Sequence, residues 1–179
     1  MFRYFKTILV VEDEETDQIL IHTAFRELGL GEHVQMVKNG EEAIRYLMGE
    51  GIYSNRDKFG FPTFIITDLK MPLSDGLAVL EHILRNPQWA IIPRIVLSAS
   101  EDPDDIKKSY MLGASSYHKK PMDFRALREQ LKLLHAYWMT CLVPEVDVTG
   151  RQVATESTGK LGERFPQILG TKQTRTRGS

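Results

Sequence analysis

Apolar and polar positions fall into two kinds of block along the chain. Short unbroken runs rich in β-branched residues, Thr7-Ile8-Leu9-Val10-Val11, Thr63-Phe64-Ile65-Ile66-Thr67 and Arg94-Ile95-Val96-Leu97-Ser98, have the pattern of strands buried on both faces. His33 to Val37 and Ser116 to His118 read as two shorter strands. Between these runs, apolar residues recur every three or four positions, the period of a helix lying on a core. Glu15 to Leu28 carries Ile19, Leu20, Ala24 and Leu28 and is stopped by Gly29 and Gly31. Glu41 to Met48 follows the turn Asn39-Gly40. Leu77, Leu80, Ile83 and Leu84 mark a third helix, closed by Asn86-Pro87. Asp102-Pro103 opens a fourth, with Asp102 as N-cap and Pro103 at the first helical position. Phe124, Leu127, Leu131, Leu134, Trp138 and Leu142 form the stripe of a last helix.

Five strands alternating with five helices predict an α/β fold: a doubly wound, five-stranded parallel sheet in the order 2-1-3-4-5, flavodoxin-like in topology. Two segments stand outside the alternation. Gly49 to Pro62 is a long, polar, Gly-containing loop. From Glu145 the chain is polar and Thr- and Gly-rich, with six basic and four acidic residues, and reads as a disordered tail over residues 145–179. The folded domain is therefore expected at residues 1–144.

Composition narrows the function. The 179 residues carry a net charge of -1, with +2 in the tail and so -3 in residues 1–144. No bulk positive charge favours nucleic acid, and the tail holds no helix-turn-helix pattern, so no DNA contact is expected. One cysteine, Cys141, excludes an internal disulfide and a multi-Cys metal site. No apolar run approaches the ~18 residues of a membrane span, and Met1 to Lys6 lacks signal-peptide features. The expected location is the cytoplasm.

In such sheets ligands bind beyond the carboxyl ends of the strands. After the first strand come Glu12-Asp13-Glu14-Glu15, with Asp17 two further on; Asp68 ends the third, Ser98 the fourth, and Lys119-Lys120-Pro121 follow the fifth. With strands one and three ~4.8 Å apart, Glu12, Asp13 and Asp68 are expected to converge. Converging carboxylates repel unless a cation neutralises them, and Mg²⁺ suits such oxygen donors while leaving room for phosphate oxygens. Glu14, Glu15 and Asp17 read as residues stabilising a helix N-terminus. Asp68, at the end of a buried apolar strand, is costly without a role. A hydroxyl, a cation, a carboxylate and a metal-binding pair together make a phosphoryl site. A flavin protein of this topology would need a phosphate-cradling loop where this chain has five carboxylates. A haloacid-type phosphatase would need an acid two residues after Asp68, where this chain has Lys70.

The set Glu12-Asp13, Asp68, Ser98, Tyr117 and Lys120-Pro121 resembles the receiver domain of two-component response regulators, over about residues 7–142. Asp68-Leu69-Lys70-Met71-Pro72, closing in Asp75-Gly76, is similar to that family's phosphorylation loop. The resemblance implies that Asp68 accepts a phosphoryl group from a phosphohistidine on a sensor histidine kinase. It implies that Asp13 and Asp68 hold Mg²⁺ directly, Glu12 through water, and the backbone carbonyl of Lys70 as a further ligand. It implies that Ser98 and Lys120 bind phosphoryl oxygens, that Tyr117 is the aromatic switch residue, and that Pro121 follows a cis bond. The Gly49–Pro62 insert, Asn86-Pro87 with Ile92-Pro93, and Tyr137-Trp138 resemble the stand-alone regulators of phytochrome-type kinases. This implies a light-sensing partner kinase. Without a DNA-binding pattern, output is expected through protein contacts or through control of phosphate flow, and a homodimer, or a monomer that dimerises when phosphorylated, is expected through the last helix and its flank from the fourth. The alternative is a receiver-shaped interaction module that works without phosphate. Lys70, two residues after Asp68, and Ser100, two after Ser98, are expected to border the path by which water reaches the phosphoryl group, with the Lys70 side chain folding over it as a shield.

Overall fold

The structure, a computed structural model, describes residues 7–71, 76–144, 146–147 and 150. Strands β1 (Thr7–Val11), β2 (Val34–Val37), β3 (Pro62–Thr67), β4 (Arg94–Ser98) and β5 (Ser116–Lys119) form one parallel sheet in the order β2-β1-β3-β4-β5. The helices are α1 (Glu15–Glu27), α2 (Gly40–Met48), α3 (Gly76–Arg85), α4 (Pro103–Met111) and α5 (Phe124–Thr140). The expected topology is the observed one.

Successive strand residues face opposite sides of the sheet, so each apolar run feeds two cores. Ile8, Val10, Phe64, Ile66, Ile95 and Leu97 pack with Ile21, Ala24 and Phe25 of α1 and with Leu127, Leu131 and Leu134 of α5. Leu9, Val11 and Ile65 face the other way, against Ala43, Tyr46 and Leu47 of α2 and Val79 and Ile83 of α3. Each fully buried side chain of this size contributes about 1.5–3 kcal/mol, so the central strands are held rigidly from both sides. α4 lies along β5 at the sheet's edge. Asp102 caps α4 and Pro103 opens it, as the sequence predicts. None of the described helices is long and apolar enough to cross a membrane.

Two expectations are corrected. The apolar stripe of the last helix does not reach Leu142: the helix stops at Thr140, Cys141 turns extended ahead of Pro144, and Leu142 is fully exposed. The insert after α2 is a packed unit rather than a polar loop. It contains a 3₁₀ turn at Gly51–Ser54 and buries Tyr53 and Phe61. Tyr46, Tyr53 and Phe59 form a ring cluster with centroids 4.9–6.1 Å apart. The Arg56 guanidinium donates to the carbonyls of Tyr46 (2.9 Å) and Leu47 (2.7 Å), satisfying the C-terminal end of α2. Two described positions beyond residue 144 make contacts with the insert and its core. Val146 lies against the same core as Phe59, and a side chain on Gly150 would collide with the Phe61 ring at 2.2 Å. The rest of the tail lies outside the described residues.

Arg56→Ala leaves two helix-end carbonyls without their charged donor and loosens the insert. It should lower unfolding stability by about 1–3 kcal/mol, read as a lower urea midpoint with unchanged slope.

Candidate functional site

Strand register brings the site residues together. Val11 of β1 is paired with Thr67 of β3, and Ser98 of β4 with Lys119 of β5. The next residues are therefore Glu12, Asp68 and Lys120. Each is held by one more hydrogen bond in the direction of the ladder. The amide of Glu12 donates to Val37 (3.0 Å), that of Asp68 to Val11 (3.0 Å), and that of Lys120 to Ser98 (2.8 Å). Their side chains thus leave a fixed backbone. Behind them α3 begins at Gly76, where any Cβ would sit 2.0 Å from the Asp68 carbonyl oxygen. Only glycine lets the helix approach the strand end this closely.

The Lys120 ammonium is the centre of the cluster. It donates to Glu12 Oε2 at 2.7 Å, Asp17 Oδ2 at 2.8 Å and Asp68 Oδ2 at 2.9 Å. Lys120, Glu12 and Asp68 are all buried, at 9%, 2% and 8% exposure. Burial works against the ammonium, but hydrogen bonds to Asp17 and Glu12 and the charge of Asp68 outweigh it and hold its pKa above the ordinary value. Glu12 is pushed up to about 7, by burial first, with Asp68 adding to the rise and Lys120 opposing it. The other Asp68 oxygen, Oδ1, accepts from the backbone amides of Leu69 and Lys70.

A second network borders the first. Ser98 is fully buried, and its hydroxyl accepts from the Ser100 amide at 3.4 Å. The Tyr117 hydroxyl donates to the Ser100 carbonyl at 2.8 Å. Burial raises the Tyr117 pKa. The Lys70 ammonium lies 2.6 Å from Asp105 Oδ2 on α4, and the Ser100 hydroxyl donates to the same oxygen at 2.7 Å. Lys70 therefore has its partner on α4 and does not fold toward Asp68. Asp105 and the inward role of Asp17 were not foreseen in the sequence, whereas Ser100 was expected beside the site. The Asp104-Asp105 pair in the first turn of α4 was the available signal.

The Lys120-Pro121 peptide is trans, not cis, since no cis bond occurs among the described residues. Trans is the lower-energy isomer, and with it Lys120 already reaches all three carboxylates. Pro72 and Asp75 of the expected loop lie outside the described residues.

The three-carboxylate convergence is also revised. Glu12 and Asp68 converge on Lys120, and among the described residues no three acidic, His or Cys side chains are arranged to hold a metal directly. Asp13 is half-buried with no hydrogen-bond or ion-pair partner among the described residues. Glu12, Asp17 and Asp68 set three carboxylates against one ammonium, with Asp13 next in sequence to Glu12. That excess of negative charge and an all-oxygen donor set fit a hard divalent cation held by one or two carboxylates, with water completing the shell.

A doubly wound sheet with an acidic pair, a strand-end Asp, a strand-end hydroxyl and a buried Lys at one rim defines a receiver-type domain. The chain belongs to the response regulator receiver domain family, whose pattern matches residues 8–132. It is 33% identical over 133 residues to the "Probable methanogenesis regulatory protein FilR2" of Methanothrix harundinacea, a match covering 74% of this chain and 83% of that protein. It is 30% identical over 134 residues to the response regulator Rcp1 of Synechocystis, covering 75% and 89%. Among solved structures, the phosphorylated cyanobacterial phytochrome response regulator RcpA superposes with a TM-score of 0.71 at 35% identity, covering 78% of this chain and 99% of that one. The Mn²⁺-bound form of Rcp1 gives 0.69 at 30%, covering 78% and 99%. The chain is thus related to phytochrome response regulators, in a family of signalling switches that use a divalent metal.

Hydrogen bonds from Lys70 first, and from Ser100, hold the Asp105 pKa below the ordinary carboxylate value. In Lys70→Met the Asp105 carboxyl should titrate at higher pH than in the parent protein, as followed by carboxyl ¹³C NMR. An unmoved titration would show that the pair does not persist in solution.

Proposed function

We propose that the protein is a single-domain response regulator in which Asp68 accepts a phosphoryl group from a sensor histidine kinase. The observation that carries this reading is the buried contact of Lys120 with Glu12 and Asp68, placed by strand register at the rim of the sheet. In the transfer, an Asp68 oxygen forms the new P–O bond as the P–N bond to the kinase histidine breaks, and the electron pair returns to the imidazole. Bound Mg²⁺ would supply positive charge for the phosphoryl oxygens. Asp13 and Asp68 would hold it directly, Glu12 through water, and the Lys70 carbonyl as a further ligand. Lys120 and the Ser98 hydroxyl then bind the phosphoryl oxygens. Tyr117, on the Ser100 carbonyl beside Ser98, reports their occupancy to the β5 and α4 surface.

Relatives named for phytochromes support a phytochrome-type kinase as the donor. Output passes through protein contacts rather than DNA. Tyr110 and Met111 of α4 and Leu133 and Tyr137 of α5 are exposed and supply apolar surface for a second copy of the chain. Trp138 is half-buried against the α1–α5 core, so Tyr137 is the aromatic of that pair facing outward.

With a small acyl phosphate and Mg²⁺, intact-mass analysis should show a gain of one phosphoryl group, abolished in Asp68→Asn and by chelation of the metal. Labelling that persists in Asp68→Asn would overturn the assignment. No labelling of the parent protein would favour a module that works without phosphate. Phosphorylation should also raise the dimer fraction in sedimentation at micromolar concentration.

A further inference from the structure

Asp17 has no part in the proposed transfer as described so far, yet it supplies one of the three carboxylates on Lys120. An ammonium has three donor hydrogens, and here each has one carboxylate: Glu12, Asp17 and Asp68, at 2.7, 2.8 and 2.9 Å. The three partners differ in how they are mounted. Glu12 and Asp68 stand at strand ends beside Asp13, where a divalent cation and a phosphoryl group would draw on them. Asp17 belongs to the first turn of α1, whose inner residues Ile21, Ala24 and Phe25 are locked in the core. The next residue ties that turn to the rim, since the Gln18 side-chain amide donates to the Glu12 carbonyl at 2.6 Å. Asp17 is therefore a carboxylate on a rigid frame, whose charge is not needed for the metal.

Lysine has four flexible carbons and a rotatable head, so a single contact does not fix its ammonium. If Glu12 turns toward the metal and Asp68 gains a phosphoryl group, the lysine loses two of its present contacts. A fixed partner on the α1 side then decides where the remaining hydrogens point. We propose that Asp17 is a positioning residue for phosphoryl transfer, anchoring the Lys120 ammonium from α1 so that it stays aimed at the Asp68 oxygen. The inference rests on the proposed function and names a residue of the same site that acts only through Lys120. It also explains why an acidic residue sits in the first turn of α1 with its carboxylate turned inward, 31% exposed, instead of toward solvent as a helix-dipole partner.

Two readouts on the full chain test it. The first needs neither metal nor phosphodonor: hydrogen exchange at Lys120 Nζ, followed by lysine ¹⁵N NMR. Exchange should be slowed in the parent protein and several-fold faster in Asp17→Ala. The second is the rate of labelling by a small acyl phosphate at saturating Mg²⁺. The rate should fall several-fold in Asp17→Ala and recover in part in Asp17→Glu. In a Lys120→Met background, adding Asp17→Ala should cause no further fall, because the anchor then has nothing to hold. Unchanged Nζ exchange, or an equal fall in the Lys120→Met background, overturns the inference. A parent protein that is not labelled at all defeats the proposed function itself, whereas a labelled parent with Asp17 variants of equal rate defeats only the anchor.

Discussion

Carboxylates within hydrogen-bond reach of one buried nitrogen would push the strand ends apart if that nitrogen carried no charge. The Lys120 ammonium holds Glu12, Asp17 and Asp68 together, and their order depends on it. Removing one partner from a buried ion pair is far costlier than exchanging the pair for apolar groups. Such a cluster is a poor way to gain stability and a good way to keep charges poised. Any group that drew one of these carboxylates away from the lysine would be felt at three elements at once: β1, β3 and α1.

The surrounding fold limits how that disturbance spreads. β1 and β3 are packed on both faces, and their extra ladder hydrogen bonds leave the backbones of Glu12 and Asp68 little freedom. A second route runs outward from the ends of β4 and β5. There Ser98, Ser100, Tyr117, Asp105 and Lys70 are joined by side-chain hydrogen bonds and an ion pair, with the Tyr117 ring resting on a small apolar cluster. The Lys70–Asp105 pair is weak in energy because Lys70 is exposed, but it bridges the loop after β3 to α4.

The sheet and its order were legible because apolar runs and helical spacing are local signals, and parallel topology follows from their alternation. The rim residues were legible for the same reason: a strand's end can be read from its own run. Partners that meet only in three dimensions were not. Lys120 and Asp17 lie 103 positions apart, and nothing near either of them announces the contact. The insert was misjudged because its glycines and charges outweighed Tyr53, Phe59 and Phe61, whose spacing fits neither a strand nor a helix. Asp105 was hidden by a good ordinary explanation, an acid in the first turn of a helix.

The seat of Gly150 on Phe61 has a consequence for access. Phe61 stands just before β3 begins, while Asp68 follows its end, so the two lie at opposite rims of the sheet. A strand of six residues spans roughly 20 Å at about 3.3 Å per residue. Residue 150 is therefore seated at the rim far from Asp68. The contact that ties residue 150 to the insert thus stands a full strand length from the Asp68 rim and does not crowd it.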